Sequence, residues 1–216
     1  MTVDPSELME RFDLQTAEFE ATPRYNVAPT QQVAVVLNDN PHTLSAARWG
    51  LIPSWSKDPS IGSRMINARG ETVAEKPAFR SLLKKRRCLV LADSFYEWRK
   101  NPDGGKTPIR LMLQSGEPFA LAGLWDLWKG PEGDPIRTCT IITTTPNALA
   151  AQVHDRMPVI LSRANEQAWL TTGADELPFL QSLLTAYPDE LMKTYPVSNR
   201  VNSPKNDDRA LIELAA

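Results

Sequence analysis

Cysteine and histidine are scarce in this sequence, which holds two of each among its 216 residues. Cys88 and Cys139 each lie inside an apolar run, so we expect buried, inert thiols in a reducing compartment; a disulfide or a metal site is the alternative. His42 and His154 are far apart and have no ordered acid or cysteine spacing around them, which argues against zinc. We therefore expect no metal and no cofactor.

Long apolar runs and an excess of charge are missing as well. No apolar stretch reaches the roughly 18 residues of a membrane span. The first residues, with Asp4, Glu7 and Glu10, lack the basic and apolar regions of a signal peptide. The formal net charge is −2, so nucleic-acid binding would need a local basic patch. These absences favour a cytoplasmic protein with no membrane partner.

Proline, by contrast, is abundant. The 18 prolines exceed the roughly 5% average, and proline interrupts helices and central strands. Apolar, β-branched runs predict strands at residues 32–37, 43–49, 88–98, 108–113, 119–129, 136–145 and 195–200. Short helices are predicted after Asp4 and at residues 79–85, 148–153, 162–170 and 175–186, with a turn at 130–135. We expect one α+β domain over residues 1–216, a mainly antiparallel sheet or barrel with short inserted helices.

Glu97 is the first candidate for catalysis. It lies near the end of a predicted strand, between Tyr96 and Trp98, whose rings exclude water. We therefore predict that its pKa is raised and that it acts as a general acid or base near neutral pH. A solvent-facing carboxylate on an alternating strand is the alternative.

His154 and Asn67 are two further candidates. Pro158 fixes the backbone after His154, and the adjacent Asp155–Arg156 pair can orient an imidazole; a structural histidine bonded to the backbone is the alternative. Asn67 and Arg69 share one face if the segment is extended. An amide and a guanidinium together can hold a phosphate and position a sugar or base, although a turn asparagine and a surface arginine would give the same pattern.

Aromatic and basic side chains offer other ways to contact nucleic acid. Trp49 and Trp55 flank a turn and present rings on which unpaired bases could stack, although core packing is the commoner use of tryptophan. The densest basic run is Lys84-Lys85-Arg86-Arg87. It could contact a phosphate backbone, but we expect it to be a solvated helix end.

Five motifs occur together in one order along the chain. They are Arg24-Tyr25-Asn26-Val27-Ala28-Pro29, Trp49-Gly50-Leu51-Ile52-Pro53-Ser54-Trp55, Ile66-Asn67-Ala68-Arg69-Gly70-Glu71-Thr72, Ala92-Asp93-Ser94-Phe95-Tyr96-Glu97-Trp98 and His154-Asp155-Arg156-Met157-Pro158. Together they resemble the SOS response-associated peptidase family, whose members are also called SRAP-domain proteins. The resemblance extends over nearly the whole chain.

The resemblance implies a protein that binds abasic sites in single-stranded DNA and forms a covalent crosslink that shields the lesion. The reacting group in the family is the cysteine directly after the initiator methionine, exposed by autoproteolytic removal of that methionine. Its α-amine condenses with the ring-opened sugar aldehyde to a Schiff base, and its thiol closes a thiazolidine. A hydrolase- or lyase-like monomer is implied, without a metal, and associated with the nucleoid when bound to DNA.

The resemblance also assigns roles to individual residues. Asn67 matches the asparagine that holds the amino terminus and the sugar, and Glu97 matches the acid that assists proton transfer. His154 matches the histidine that promotes opening of the sugar ring. The residues expected to contact DNA are Arg69, Arg156, Trp49, Trp55, Asn26, Pro29 and Lys76.

The opening of the family pattern is not found in this sequence. Family members begin Met-Cys-Gly-Arg-Phe, whereas this sequence begins Met1-Thr2-Val3-Asp4-Pro5. We expect that the native protein starts upstream and carries the cysteine; the alternative is a member that binds single-stranded DNA without crosslinking. A peptidase or hydrolase that uses Glu97 and His154 on another substrate is a third hypothesis, which no motif supports independently.

Overall fold

Strands dominate the structure, a computed structural model that describes residues 1–130 and 133–215. The strands, numbered in chain order, are β1 (Thr16–Ala17), β2 (Gln32–Leu37), β3 (Asn40–Trp49), β4 (Asn67–Arg69), β5 (Arg87–Ala92), β6 (Ser94–Lys100), β7 (Lys106–Leu113), β8 (Phe119–Trp128), β9 (Ile136–Thr144), β10 (Met157–Pro158), β11 (Ile160–Leu161) and β12 (Met192–Pro196). Five of them close into a barrel. Neighbours pair antiparallel in the order β3-β2-β5-β8-β9, and β3 then pairs in parallel with β9. This arrangement confirms the predicted α+β class with a mainly antiparallel barrel.

The strand predicted over residues 88–98 is two strands in two different sheets. β5 belongs to the barrel, whereas β6 is one edge of a separate antiparallel sheet in the order β12-β7-β6. The break falls at Asp93, which is 2% exposed and binds the amino-terminal segment through its carboxylate. The run is apolar on both sides of the break, so the prediction of one continuous strand was wrong.

Short helices connect the strands. The α-helices are α1 (Pro5–Arg11), α2 (Arg80–Lys85), α3 (Arg163–Thr171) and α4 (Leu177–Ser182). Single 3₁₀ segments occur at Pro59–Arg64, Gly70–Thr72, Ala150–Gln152, Asp189–Leu191, Asn199–Asn202 and Arg209–Ile212. Asp4 caps α1, because its carboxylate accepts a hydrogen bond from Ser6 N at 2.9 Å. No helix within residues 1–130 and 133–215 is long and apolar enough to cross a bilayer.

Several predicted boundaries were wrong. The helix expected at 148–153 is a single 3₁₀ turn, and the one expected at 175–186 covers only Leu177–Ser182. The last strand ends at Pro196 rather than at residue 200, because the Ser198 side chain accepts from Arg200 N and begins a 3₁₀ segment. The turn predicted at 130–135 includes residues 131 and 132, which lie outside the described residues.

Alternate side chains of the barrel strands pack into two apolar clusters. Val36 and Leu89 belong to a cluster that includes Trp169 of α3, whereas Val35 belongs to one that includes Leu111 of β7. Burying an aliphatic side chain contributes roughly 1.5–3 kcal/mol. The two clusters therefore fix the helices and the three-stranded sheet to the barrel.

Cys88 and Cys139 are free and fully buried thiols, which confirms the prediction from the sequence. Burial raises the pKa of Cys88 well above its ordinary value, with a further contribution from Cys139. Burial also raises the pKa of Cys139 to about 12. Because the thiolate is the reactive form, neither cysteine can serve as a nucleophile in this structure.

Arg87 corrects the expectation that residues 84–87 form a solvated helix end. It is 2% exposed, and its guanidinium donates to five backbone carbonyl oxygens. These belong to Leu83, Lys84, Trp169, Leu170 and Thr172. Since the last carbonyl groups of a helix have no partner within it, one side chain completes the carboxyl ends of both α2 and α3.

Candidate functional site

A cavity of about 760 Å³ lies beside the point where the chain passes from β5 to β6. Its walls come from β2, β4, β5 and β6, from residues 19–29 and from the segment that follows Ala150–Gln152. Asn67, Glu97 and His154, far apart in the sequence, all line it. Polar groups collected from distant segments into one cavity are typical of a reactive site.

The short strand β4 positions Asn67 and Arg69. It pairs in parallel with β9, so that Asn67 lies opposite Ile141 and Arg69 opposite Thr143. Alternate side chains of a strand point to opposite faces, and accordingly Ala68 is buried while its two neighbours are exposed and line the cavity. The shared face predicted for Asn67 and Arg69 is present.

Glu97 lies on β6 and is half-buried in the cavity wall. Burial raises the pKa of Glu97 above its ordinary value, although the charge of His154 acts in the opposite direction. A carboxyl group with a raised pKa keeps its proton to higher pH than an ordinary glutamate does. Glu97 is thus partly removed from solvent, and its action as an acid or base stays a prediction.

His154 lies just after a 3₁₀ turn, where its backbone N–H donates to Ala150 O at 2.9 Å. Its ring atom Nδ1 accepts from Arg156 N at 3.1 Å and lies 3.2 Å from Asp155 Oδ1. Because both contacts use Nδ1, the Nε2 atom is left for a bound molecule.

Arg156 also lines the cavity, but its guanidinium is already engaged. Nη1 and Nη2 donate to the two carboxylate oxygens of Glu71 at 2.6 and 2.8 Å. Nη2 donates as well to Thr143 O at 2.8 Å. Hydrogen bonding from Arg156 lowers the pKa of Glu71, with burial opposing it, so Glu71 stays ionised at neutral pH.

The amino-terminal segment reaches the cavity and is held by Asp93. Thr2 donates to Asp93 Oδ2 through both its N and its Oγ1, each at 2.5 Å. The Met1 amine donates to Arg24 O at 2.9 Å and lies 3.7 Å from Asp93 Oδ1. Burial lowers the pKa of this amine, although Asp93 opposes the shift. Burial alone would raise the pKa of Asp93, but the Met1 ammonium and the hydrogen bonds from Thr2 outweigh it and lower that pKa.

Three more of the predicted DNA-contacting residues, Trp49, Asn26 and Pro29, line the cavity. The Trp49 ring nitrogen donates to Ile66 O at 2.9 Å, which fixes the indole against the segment before β4. Asn26 is 6% exposed, and its amide nitrogen donates to backbone oxygens of the C-terminal segment. Those oxygens belong to Val201, Ser203 and Asn206. Asn26 therefore has a structural task, and its contact with DNA stays a prediction.

Trp55 and Lys76 do not line the cavity, although both are exposed. Trp55 is 66% exposed, an unusual position for so large an aromatic ring. Their contacts with DNA stay predictions.

Three residues at or beside the site were not found by sequence reasoning: Asp93, Glu71 and Tyr96. A lone acid inside the apolar run 88–98 was an available signal for Asp93. Tyr96 donates its hydroxyl to Tyr25 O at 2.8 Å, and burial raises its pKa to about 12, so it stays a neutral donor. In the described part of the chain, no group of three or more His, Cys, Asp or Glu side chains is placed to hold a metal ion.

Comparisons with known proteins identify the family that the chain resembles. The sequence model of the SOS response associated peptidase (SRAP) family matches residues 1–204. The abasic site processing protein YoqW of Bacillus subtilis (strain 168) is 49% identical over 210 residues, which cover 96% of this chain and 94% of that protein. The abasic site processing protein HMCES of Gallus gallus is 33% identical over 86% of this chain and 64% of its own length. A crystal structure of a Bacteroides thetaiotaomicron protein superposes with a TM-score of 0.79 at 29% identity, covering 87% of this chain and 82% of that one.

Proposed function

The chain belongs to the SOS response associated peptidase (SRAP) family, and on that premise we propose that it recognises and processes abasic sites in single-stranded DNA. The observation that carries the proposal is that Asn67, Glu97 and His154 line one cavity together with Arg69 and Arg156. The relatives YoqW and HMCES are both named abasic site processing proteins. An abasic strand presents an unpaired sugar between two phosphates. The polar and basic side chains of this cavity suit both groups.

The proposed chemistry starts from an α-amine buried in the same cavity as the Met1 amine, whose pKa is lowered by burial. A lowered pKa leaves more of such an amine uncharged at neutral pH, and only the uncharged form adds to a carbonyl. Its nitrogen bonds to the aldehyde carbon of the ring-opened sugar, and the carbonyl oxygen takes up a proton. Loss of that oxygen as water gives an imine, with no change of oxidation state.

Each of the three side chains has a proposed part in these steps. Glu97, whose pKa is raised by burial, gives a proton to the departing hydroxyl oxygen. His154 presents Nε2 to the ring oxygen of the sugar and promotes ring opening. Asn67 hydrogen-bonds the sugar and the amine, which keeps the reacting atoms in contact.

A stable crosslink also needs a thiol. In the proposed reaction a cysteine side chain on the same residue as the amine adds its sulfur to the imine carbon. The thiol proton goes to nitrogen, and a thiazolidine closes. We propose that the thiol comes from a cysteine with a free α-amine, as in the Met-Cys-Gly-Arg-Phe opening that the family resemblance implies, with removal of the methionine assisted by Glu97.

A second candidate function is non-covalent binding of single-stranded DNA. One observation favours it: no cysteine is among the described residues that line the cavity, and both Cys88 and Cys139 are fully buried. Such a protein would bind DNA with a strong dependence on salt. It would give no species that survives denaturation.

Denaturing electrophoresis after mixing with abasic single-stranded DNA separates the two functions. It should be run on the chain as printed and on a form that carries Met-Cys-Gly-Arg-Phe before Thr2. We expect a crosslinked band from the second form and none from the first. A band from both would contradict the role of the cysteine, and a band from neither would refute the crosslinking function.

In the form with the added opening, Glu97→Gln should slow crosslinking by roughly 100-fold, the usual scale for loss of general acid–base catalysis. The exposed residue Glu190 provides the matched control, and Glu190→Gln should leave the rate unchanged. Single-turnover rates measured from the growth of the crosslinked band check the prediction. Equal rates for the two variants would remove Glu97 from the mechanism.

A further inference from the structure

The ion pair between Arg156 and Glu71 occupies the part of the arginine that would bind a phosphate. Arginine recognises phosphate by offering two parallel N–H groups along one edge of its guanidinium plane. In Arg156 the edge formed by Nη1 and Nη2 is taken up by both oxygens of Glu71. The other edge is formed by Nε and Nη2, and Nη2 is also bonded to Thr143 O. Nε is buried without a partner, so neither edge is open to an incoming anion.

Arg69, on the same wall, differs from Arg156 because its guanidinium has no carboxylate partner among the described residues. It lies two residues before Glu71, is exposed and lines the cavity. Within the described residues its guanidinium makes no ion pair; it acts on Glu71 only at a distance, as one of the charges that lower the pKa of that carboxyl group. One cavity arginine is thus free for a phosphate, and the other is already bound to an internal carboxylate.

Glu71 is placed so that its carboxylate can move away from Arg156. Its side chain is 47% exposed, whereas that of Arg156 is 21% exposed, and Glu71 does not itself line the cavity. A carboxylate at the rim can rotate into water at small desolvation cost. Arg156 would then still be held by its hydrogen bond to Thr143 O, with the edge formed by Nη1 and Nη2 uncovered.

We propose that Glu71 competes with DNA phosphate for Arg156. In the free protein its carboxylate occupies the Nη1–Nη2 edge of the guanidinium, and a phosphate of the bound strand displaces it. The inference rests on the proposed function, because it names the phosphate of single-stranded DNA as the displacing anion. Glu71 thereby limits the affinity of the cavity for DNA. Arg69 makes the first phosphate contact, and Arg156 contributes only after the exchange.

The test is a pair of variants with the same change in charge. Glu71→Gln removes the competing carboxylate, and Glu75→Gln removes an exposed carboxylate four residues away that makes no ion pair with the described residues. Binding of a fluorescently labelled, undamaged single-stranded oligonucleotide is measured by anisotropy at several salt concentrations. We expect Glu71→Gln to bind roughly three- to tenfold more tightly than wild type and Glu75→Gln to stay within about twofold. Equal or weaker binding by Glu71→Gln than by Glu75→Gln would overturn the proposal and make Glu71 a support for Arg156.

A double-mutant cycle shows whether the effect acts through Arg156. In an Arg156→Gln background, Glu71→Gln should gain no more affinity than Glu75→Gln does. A gain that persists there would mean that Glu71 repels DNA without competing for Arg156, which contradicts the exchange. Thermal melts of each variant confirm that all are folded.

Inorganic phosphate supplies a readout that does not depend on DNA. The Arg156 Nε–H resonance of ¹⁵N-labelled protein is followed while phosphate is added, and it should respond at several-fold lower phosphate in Glu71→Gln than in wild type. Unchanged titration curves would overturn the proposal. If no form of the protein bound single-stranded DNA, the proposed function would fail, while this titration would still decide whether Glu71 competes with phosphate.

Discussion

Arg87 and Arg156 are both largely removed from solvent, yet they lie in two regions that supply different kinds of hydrogen-bond partner. Arg87, behind the barrel, is surrounded by five carbonyl oxygens from the ends of two helices. Arg156, at the cavity, is bound mainly by the carboxylate of Glu71. Backbone carbonyls cannot leave without unfolding a helix end, whereas a half-exposed glutamate can.

The comparison shows that burial alone does not reveal what an arginine is for. Its role depends on its hydrogen-bond partner. A permanent partner makes the charge part of the architecture, whereas an exchangeable partner keeps the charge available to a ligand. The same distinction applies to the buried carboxylate of Asp93, whose partners are the amine of Met1 and the donors of Thr2. Three predictions can break or sharpen this distinction.

The largest effect is expected at the architectural arginine. Arg87→Met keeps the aliphatic stem but removes every donor to the five carbonyls, so the free energy of unfolding should fall by about 3–5 kcal/mol. Urea denaturation followed by circular dichroism measures it, with the exposed Lys85→Met as control. A loss below about 1 kcal/mol would show that water can hydrogen-bond these carbonyl oxygens in place of Arg87. The partners of Arg87 would then be as replaceable as that of Arg156.

Asp93→Asn should have an intermediate effect of about 1–3 kcal/mol on the free energy of unfolding at pH 7, because a buried, hydrogen-bonded charge is lost. The folded-state pKa of Asp93 is lowered from its ordinary value of 3.8, so its contribution is complete above that value. It disappears as the pH falls through the lower folded-state pKa. The stability difference between wild type and Asp93→Asn should therefore narrow below about pH 4. Denaturation across this pH range checks the prediction, and a difference that grew toward acid would contradict it.

The smallest effect concerns the two cavity arginines. Arg69→Gln should weaken binding of undamaged single-stranded DNA by roughly tenfold and lower the salt slope by about one, because a free phosphate contact is lost. The double variant Glu71→Gln/Arg156→Gln removes a neutral pair and should change the affinity by no more than about threefold. Anisotropy titrations measure both, with the exposed Arg209→Gln as charge control. A larger loss from the double variant than from Arg69→Gln would mean that Arg156, despite its partner, is the main phosphate contact.

Local sequence was sufficient for most of the strands and for the shared face of Asn67 and Arg69. Strand formation depends on β-branched and apolar side chains in consecutive positions, and a period of two follows from the geometry of an extended chain. The aromatic neighbours of Glu97 in the sequence were also sufficient to indicate it as a candidate acid. The break at Asp93 was not, because the apolar residues on both sides give no local reason for the chain to change sheets.

What the sequence determined by itself was therefore the set of strands, the family motifs and the reactive side-chain types. Only the tertiary structure decided which polar groups meet: Arg156 and Glu71 are 85 residues apart, and Asp93 and Thr2 are 91 apart. The physical reason is that a hydrogen bond or ion pair depends on distance in space, whereas strand propensity depends on neighbours along the chain. Closing the barrel brings the distant segments together, and that closure determines whether each buried charge has a fixed partner or one that can be replaced.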